Sequence, residues 1–223
     1  MNDWLPMDEE QSKVQVEAIL QLLGDSPLDV IDVGCGDGRI LIPLTVGGHR
    51  VIGIDLDPSA INACSLRCAE MDIDATLFDA SLFDALPLSE PVDVIVCCGQ
   101  TFMLLANVDE AVEALRLFKK SLRTGGLVII DDIPGDLWPE VSQGRWANGV
   151  NEDETLQLVW AHNDAVFTIR EGNQVNTDSW ELDEDDRQVR LWTMGALRLA
   201  SQLAGLSVPE VQVAGAILVM RAV

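Results

Sequence analysis

The sequence predicts an α/β fold: a doubly wound, mostly parallel seven-stranded sheet with an antiparallel insertion after the fifth strand. Three observations lead there. Short, continuously apolar runs alternate with amphipathic segments of helical period through about residue 132. The first apolar run ends in the glycine-rich turn Gly34-Cys35-Gly36-Asp37-Gly38. Beyond Asp132 the pattern changes to shorter, alternating segments broken by glycine and proline.

The elements follow in order. Residues 9–23 carry Val14, Ile19, Leu22 and Leu23 near helical spacing, with Gly24 as a stop. Residues 29–33 are a buried strand, 38–46 a helix and 51–54 a second strand closed by Asp55. Asp57 and Pro58 are an N-cap and first-turn pair that opens a helix reaching Met71. Residues 75–78, 92–98 and 127–130 read as strands, with a helix over 109–122 between the last two. Strands apolar throughout belong to a parallel sheet covered on both faces. Residues 133–154 read as a long irregular stretch of the kind that forms lids. Residues 156–160 and 166–170 read as a hairpin around His162-Asn163-Asp164, with further strands expected over 175–182 and 189–193. A helix over 194–203 ending at Gly205, then strands 211–213 and 216–220, close the chain. The whole is read as one domain: an N-terminal helix in 1–28, a core in 29–132, a lid or insertion in 133–193, and a closing helix and strands in 194–223.

Composition narrows the function. A formal charge of −23 removes the basic footprint that a phosphate backbone needs, so no nucleic-acid partner is expected. No apolar run approaches the roughly 20 residues of a membrane span, and the N-terminus reads neither basic nor apolar, so no membrane association and a cytoplasmic location are expected. The five cysteines, Cys35, Cys64, Cys68, Cys97 and Cys98, lack the spacing of a disulfide framework or a zinc site. Core packing is expected of them, and no metal.

The motif that carries chemistry is Asp32-Val33-Gly34-Cys35-Gly36-Asp37-Gly38-Arg39, a strand, a tight turn and a helix start. Glycines allow close approach of a ligand, and the helix N-terminus offers free N–H groups. A dinucleotide fold would ask for glycine where Arg39 stands. Asp55, about 20 residues on at the tip of the second strand, is placed to accept from a ribose diol. Asp79, after the third strand, is placed to accept from an adenine amino group; taken alone it reads as a solvated or capping acid.

Together these residues resemble the class I S-adenosylmethionine-dependent methyltransferases of small-molecule type, over about residues 14–132 closely and the remainder loosely. The resemblance implies a Rossmann-like fold and S-adenosyl-L-methionine as cofactor. It implies that Asp32, Gly34, Cys35, Gly36 and Gly38 meet the methionine end, Asp55 the ribose, and Leu56, Asp79 and Ala80 the adenine, with the backbone of Cys97 and Cys98 close by. The segment before Gly125-Gly126 resembles the family's L-x-P-G-G turn, with Thr124 at the proline. Arg190-Leu191-Trp192-Thr193, followed by Ala204-Gly205-Leu206, resembles the family's later motif, with Leu206 in place of an aromatic residue. The implied reaction is methyl transfer to a small molecule, with a protein or peptide acceptor, or a non-catalytic cofactor-binding module, as alternatives.

Candidates for catalysis are sparse. His162 is a possible base in a turn that equally suits an exposed histidine, and His49 is expected to be exposed and distant. Trp138, Trp146 and Trp180 are either walls of a substrate pocket or packing under a lid. Arg190 is a candidate substrate contact. Asp131 and Asp132 either bind a cationic substrate or cap the end of the fifth strand.

Overall fold

A computed structural model describes residues 9–136, 138–144, 149–151 and 154–223; Trp146 lies outside them. The core strands are β1 (Asp29–Val33), β2 (Arg50–Asp55), β3 (Thr76–Asp79), β4 (Val92–Cys97), β5 (Leu122–Asp131), β9 (Glu210–Val213) and β10 (Ile217–Arg221). They form one seven-stranded sheet in the order β3-β2-β1-β4-β5-β10-β9. The first five run parallel, while β10 is antiparallel to both β5 and β9. The order reverses between β1 and β4, which opens a crevice at their C-terminal ends where ligands of such sheets bind.

Alternation along the strands sorts side chains to two apolar layers. Ile95 and Cys97 face α4 (Leu82–Ala85), α5 (Val108–Ser121) and α8 (Met194–Ala204), while Val94, Val96 and Cys98 face α1 (Glu9–Leu23), α2 (Leu41–Val46) and α3 (Pro58–Glu70). Both layers are buried, which is why these strands read as unbroken apolar runs. Helix ends follow local chemistry. Asp57 accepts from Ser59 N at 2.8 Å ahead of Pro58, Asn107 caps α5, and Gly205 ends α8 at φ +76°.

The insertion forms a separate antiparallel sheet, β6 (Leu156–Trp160), β7 (Val166–Glu171) and β8 (Val189–Arg190), in that order. Its Leu158, Phe167 and Val189 pack with Met103 and Ile133 from the segments after β4 and β5, which seats the sheet beside the C-terminal ends of those strands.

Four expectations are corrected. Residues 175–182 form no strand, because side chains of the hairpin occupy their backbone. Gln157 binds Asn176 N, Asn176 O and Ser179 O, and Arg170 donates to Ser179 O and Glu181 O. The stretch read as irregular holds two short helices, α6 (Ile133–Asp136) and α7 (Trp138–Ser142). Gly125 and Gly126 lie within β5, where the register against β4 shifts, and not in a turn before it; a Cβ at Gly126 would lie 2.9 Å from Asp93 O. His49 is 3% exposed, enclosed where the loop enters β2, and neither ring nitrogen has a partner among the described residues.

Candidate functional site

The crevice is built from the tips of five strands. After β1 the chain turns through Gly34, Gly36 and Gly38, all at positive φ (+72°, +56°, +89°), a conformation that a Cβ would strain. Gly34 N and Cys35 N donate to Ile54 O of β2 at 2.7 and 3.1 Å, so this turn is tied to the neighbouring strand. A Cβ at Gly34 would fall on the Thr101 side chain, and one at Gly38 would lie 2.8 Å from Cys64 Sγ on α3. Gly34 therefore permits the loops after β1 and β4 to touch, and Gly38 permits close packing on α3.

Asp55 is held in place by two backbone donors. Gly36 N reaches Oδ2 at 2.8 Å and Asp57 N reaches Oδ1 at 2.9 Å. Asp79 is in register with Asp55 on β3, and Ala80 N donates to Asp55 O at 3.0 Å. Leu56, beside them, is 71% exposed, an apolar side chain left open at the strand tip.

Asp32 lies at the base of the glycine turn, buried, with Oδ2 lacking a partner among the described residues. Burial pushes its carboxyl up to about 7, against the opposing pull of the Arg39 guanidinium and the Leu41 N–H. Burial likewise raises the thiols of Cys97 and Cys98 well above their ordinary range and that of Cys64 to about 12. Near neutral pH these sulfurs are packed thiols.

Asp131 ends β5. Its carboxylate accepts from Gly99 N and Gln100 N at 2.9 Å each and from Gln15 Nε2 at 2.7 Å. It therefore anchors the loop after β4, whose Gly99 and Gln100 both have positive φ (+75° and +65°). Asp132 accepts from Gly135 N and Gly215 N at 3.1 and 2.8 Å. Both acids thus tie down loops, in the sense of the capping alternative. Beneath the anchored loop a small recess, with room for about one water molecule, is lined by Phe102, Met103, Ile130, Asp131, Ile133, Trp192 and Leu197.

Sequence reasoning offered other residues as substrate contacts or as a base. Trp138 and Trp180 are about half exposed, and Trp180 packs on Gly149 and donates to Thr177 O. Arg190 donates to Ala106 O at 2.7 Å and pairs through two nitrogens with Asp164, 5.5 Å from the Trp192 ring centroid. It clasps the insertion to the core loop. His162 is exposed in the β6–β7 turn. Trp192, Gln15 and Arg39 were not singled out as site residues. Trp192 lay in a quoted motif, but a buried glutamine on an amphipathic helix carries no pattern of its own.

A methyltransferase-domain family matches residues 30–126, the span that holds the glycine turn, Asp55, Asp79 and strand β4. That segment is a methyltransferase domain. The chain is 25% identical to the cypemycin N-terminal methyltransferase of a Streptomyces species, over 83% of its own length and 76% of that protein. It is 30% identical to the ubiquinone biosynthesis O-methyltransferase of Nitrosospira multiformis, over 47% of the chain and 43% of the relative, so it spans less than half of that enzyme. Its fold is that of an S-adenosylmethionine-dependent methyltransferase from Clostridium acetobutylicum, with TM-score 0.71 and 14% identity over 97% of this chain and 92% of that one. Among the described residues no helix is long and apolar enough to cross a membrane.

Proposed function

We propose that the protein transfers the methyl group of its cofactor to a small molecule held at the C-terminal ends of β4 and β5, beside the crevice. The observation that carries this reading is the placement of the insertion sheet, whose Leu158, Phe167 and Val189 pack on Met103 and Ile133 and so stand over the C-terminal ends of β4 and β5. A site covered in this way suits a compact acceptor better than a polypeptide segment.

S-adenosylmethionine, when bound, supplies a methyl group already activated on a sulfonium, so the protein's task is to bind, align and exclude water. In this reading Asp32, Gly34, Cys35, Gly36 and Gly38 cradle the methionine end. The unpartnered Asp32 Oδ2 is a buried acceptor suited to a cationic or hydrogen-bearing group. Asp55, held from behind by Gly36 and Asp57, presents its carboxylate to the ribose. Leu56, Asp79 and Ala80 flank the adenine, and the backbone around Cys97 and Cys98 forms the wall toward the acceptor. His162 is exposed in the β6–β7 turn, and this reading assigns it no role.

The test is incubation with methyl-tritiated S-adenosylmethionine and a fractionated metabolite extract. Label in a small-molecule fraction supports the reading. Label confined to protein or peptide favours the second reading, a peptide acceptor. Two features speak for that one: the cypemycin N-terminal methyltransferase is a relative matched over most of both chains, and a charge of −23 suits a basic segment.

A further inference from the structure

Helix α1 buries four residues against the sheet: Ala18, Ile19, Leu23 and the polar Gln15. Gln15 is 1% exposed. Its Nε2 donates to Asp131 Oδ1 at 2.7 Å and to Ala216 O at 3.0 Å, and its Oε1 accepts from Arg39 Nη2 at 2.7 Å. An amide enclosed in this way costs stability unless each group is bonded, and these three partners meet it in one docking position of α1 only. A one-residue slip of the helix would replace Gln15 with Val14 or Val16 and leave Asp131 and Arg39 facing aliphatic carbon.

Those partners lead into the crevice from two sides. Asp131 holds the Gly99 and Gln100 amides, and this loop continues into Thr101, which touches Gly34 of the glycine turn. Arg39, also bonded to Ser12 Oγ at 3.2 Å, is the cation whose charge opposes the protonation of buried Asp32. We infer that Gln15 is a positioning residue that couples docking of α1 to the shape of the cofactor crevice, so that α1 docking and cofactor binding strengthen each other. The inference rests on the cofactor reading above. Coupling of this kind is reciprocal: what α1 does for ligand affinity, ligand does for α1 order. The same lever sets the charge around the crevice. Without Gln15, Asp131 keeps the Gly99 and Gln100 amides as its donors among the described residues, in a buried setting that already raises its carboxyl, with Arg39 and the thiols of Cys97 and Cys98 as its titratable or charged neighbours.

The experiment measures S-adenosylhomocysteine affinity by calorimetry and hydrogen exchange of α1 amides with and without that ligand. Wild type binds, and the ligand slows exchange across α1. Gln15→Ala weakens binding by about tenfold, the factor of a coupling near 1.4 kcal/mol, and removes the ligand-induced protection of α1. Glu17→Ala, on the exposed face of the same helix, changes neither. Gln15→Glu separates positioning from packing. Near pH 8 it sets a carboxylate against Asp131 and binds as poorly as Gln15→Ala. Near pH 6 a proton shared between the two carboxyls restores the donor, and affinity returns toward wild type. Gln15→Ala binding within twofold of wild type, or Gln15→Glu binding that tracks Gln15→Ala at both pH values, overturns the inference. Failure of the wild type itself to bind overturns the cofactor reading instead.

Discussion

Gly36 N donates to Asp55 Oδ2 at 2.8 Å, so the glycine turn after β1 and the acid at the tip of β2 form one hydrogen-bonded unit across 19 residues. In the bound state proposed here Asp55 is already aimed before the ribose arrives, which lowers the ordering cost of binding. Asp55→Ala should therefore weaken S-adenosylhomocysteine binding by about 100-fold, the loss of hydrogen bonds to a charged acceptor, each worth roughly 1.5–3 kcal/mol. Isothermal calorimetry reads it, and NAD serves as a control ligand that should give no heat in either protein.

Gly34 faces two penalties on substitution. Its φ of +72° disfavours any side chain, and its Cβ would fall on Thr101. Gly34→Ala should lower stability by about 2 kcal/mol or more, of which about 1 kcal/mol is backbone strain. Thr101→Ala in the same chain should recover the steric share and leave the strain. Urea denaturation of both variants checks this, and full recovery would show that the backbone conformation carries no cost.

Asp32 makes stability depend on pH. Its carboxyl titrates near 7 in the folded protein and near 3.8 unfolded, so the folded state holds a proton that the unfolded state releases in between. Stability from this group is whole below about pH 4, declines as pH rises toward about 7 and is level above, a loss on the order of 4 kcal/mol. Asp32→Asn should remove that decline. The quantity to compare is the slope of unfolding free energy between about pH 4 and 7 in the two proteins; equal slopes would refute the assignment.

Arg190 joins the insertion to the core through Ala106 O and Asp164. Arg190→Ala should cost about 2–3 kcal/mol, less than a wholly buried pair because the Asp164 side chain is 45% exposed. Arg190→Lys should recover little, since an ammonium cannot span both carboxylate oxygens and the carbonyl. Proteolysis in the insertion should rise in both variants ahead of global unfolding.

The five cysteines are buried, and burial raises four of the thiols, Cys35, Cys64, Cys97 and Cys98. A maleimide near neutral pH should label the native protein far more slowly than the denatured one. Rapid labelling of native Cys97 or Cys98 would show the crevice wall to be open.

Much of this was legible in the residues themselves. Period and apolar continuity marked β1 through β5 and the helices between them, because strands buried on both faces leave no polar residues to blur the signal. The glycine turn and Asp55 were readable because backbone angle and strand-tip position each demand a residue type. Gly125 and Gly126 misled, because glycine serves a bulge as readily as a turn. Residues 175–182 misled because a side chain from a distant strand can bond a backbone as well as a ladder can; Gln157 and Arg170 do so, and their own sequence context does not announce it. Tertiary structure alone decided that Gln15 meets Asp131 across 116 residues, that Trp192 and not Trp138 lines the recess, and that His49 is enclosed. The sequence by itself determined which segments become strand and helix and which residue types line the crevice, since those follow from local sterics and solvent. Which polar side chain satisfies which buried partner depends on the packing of elements far apart in the chain, and no local pattern records it.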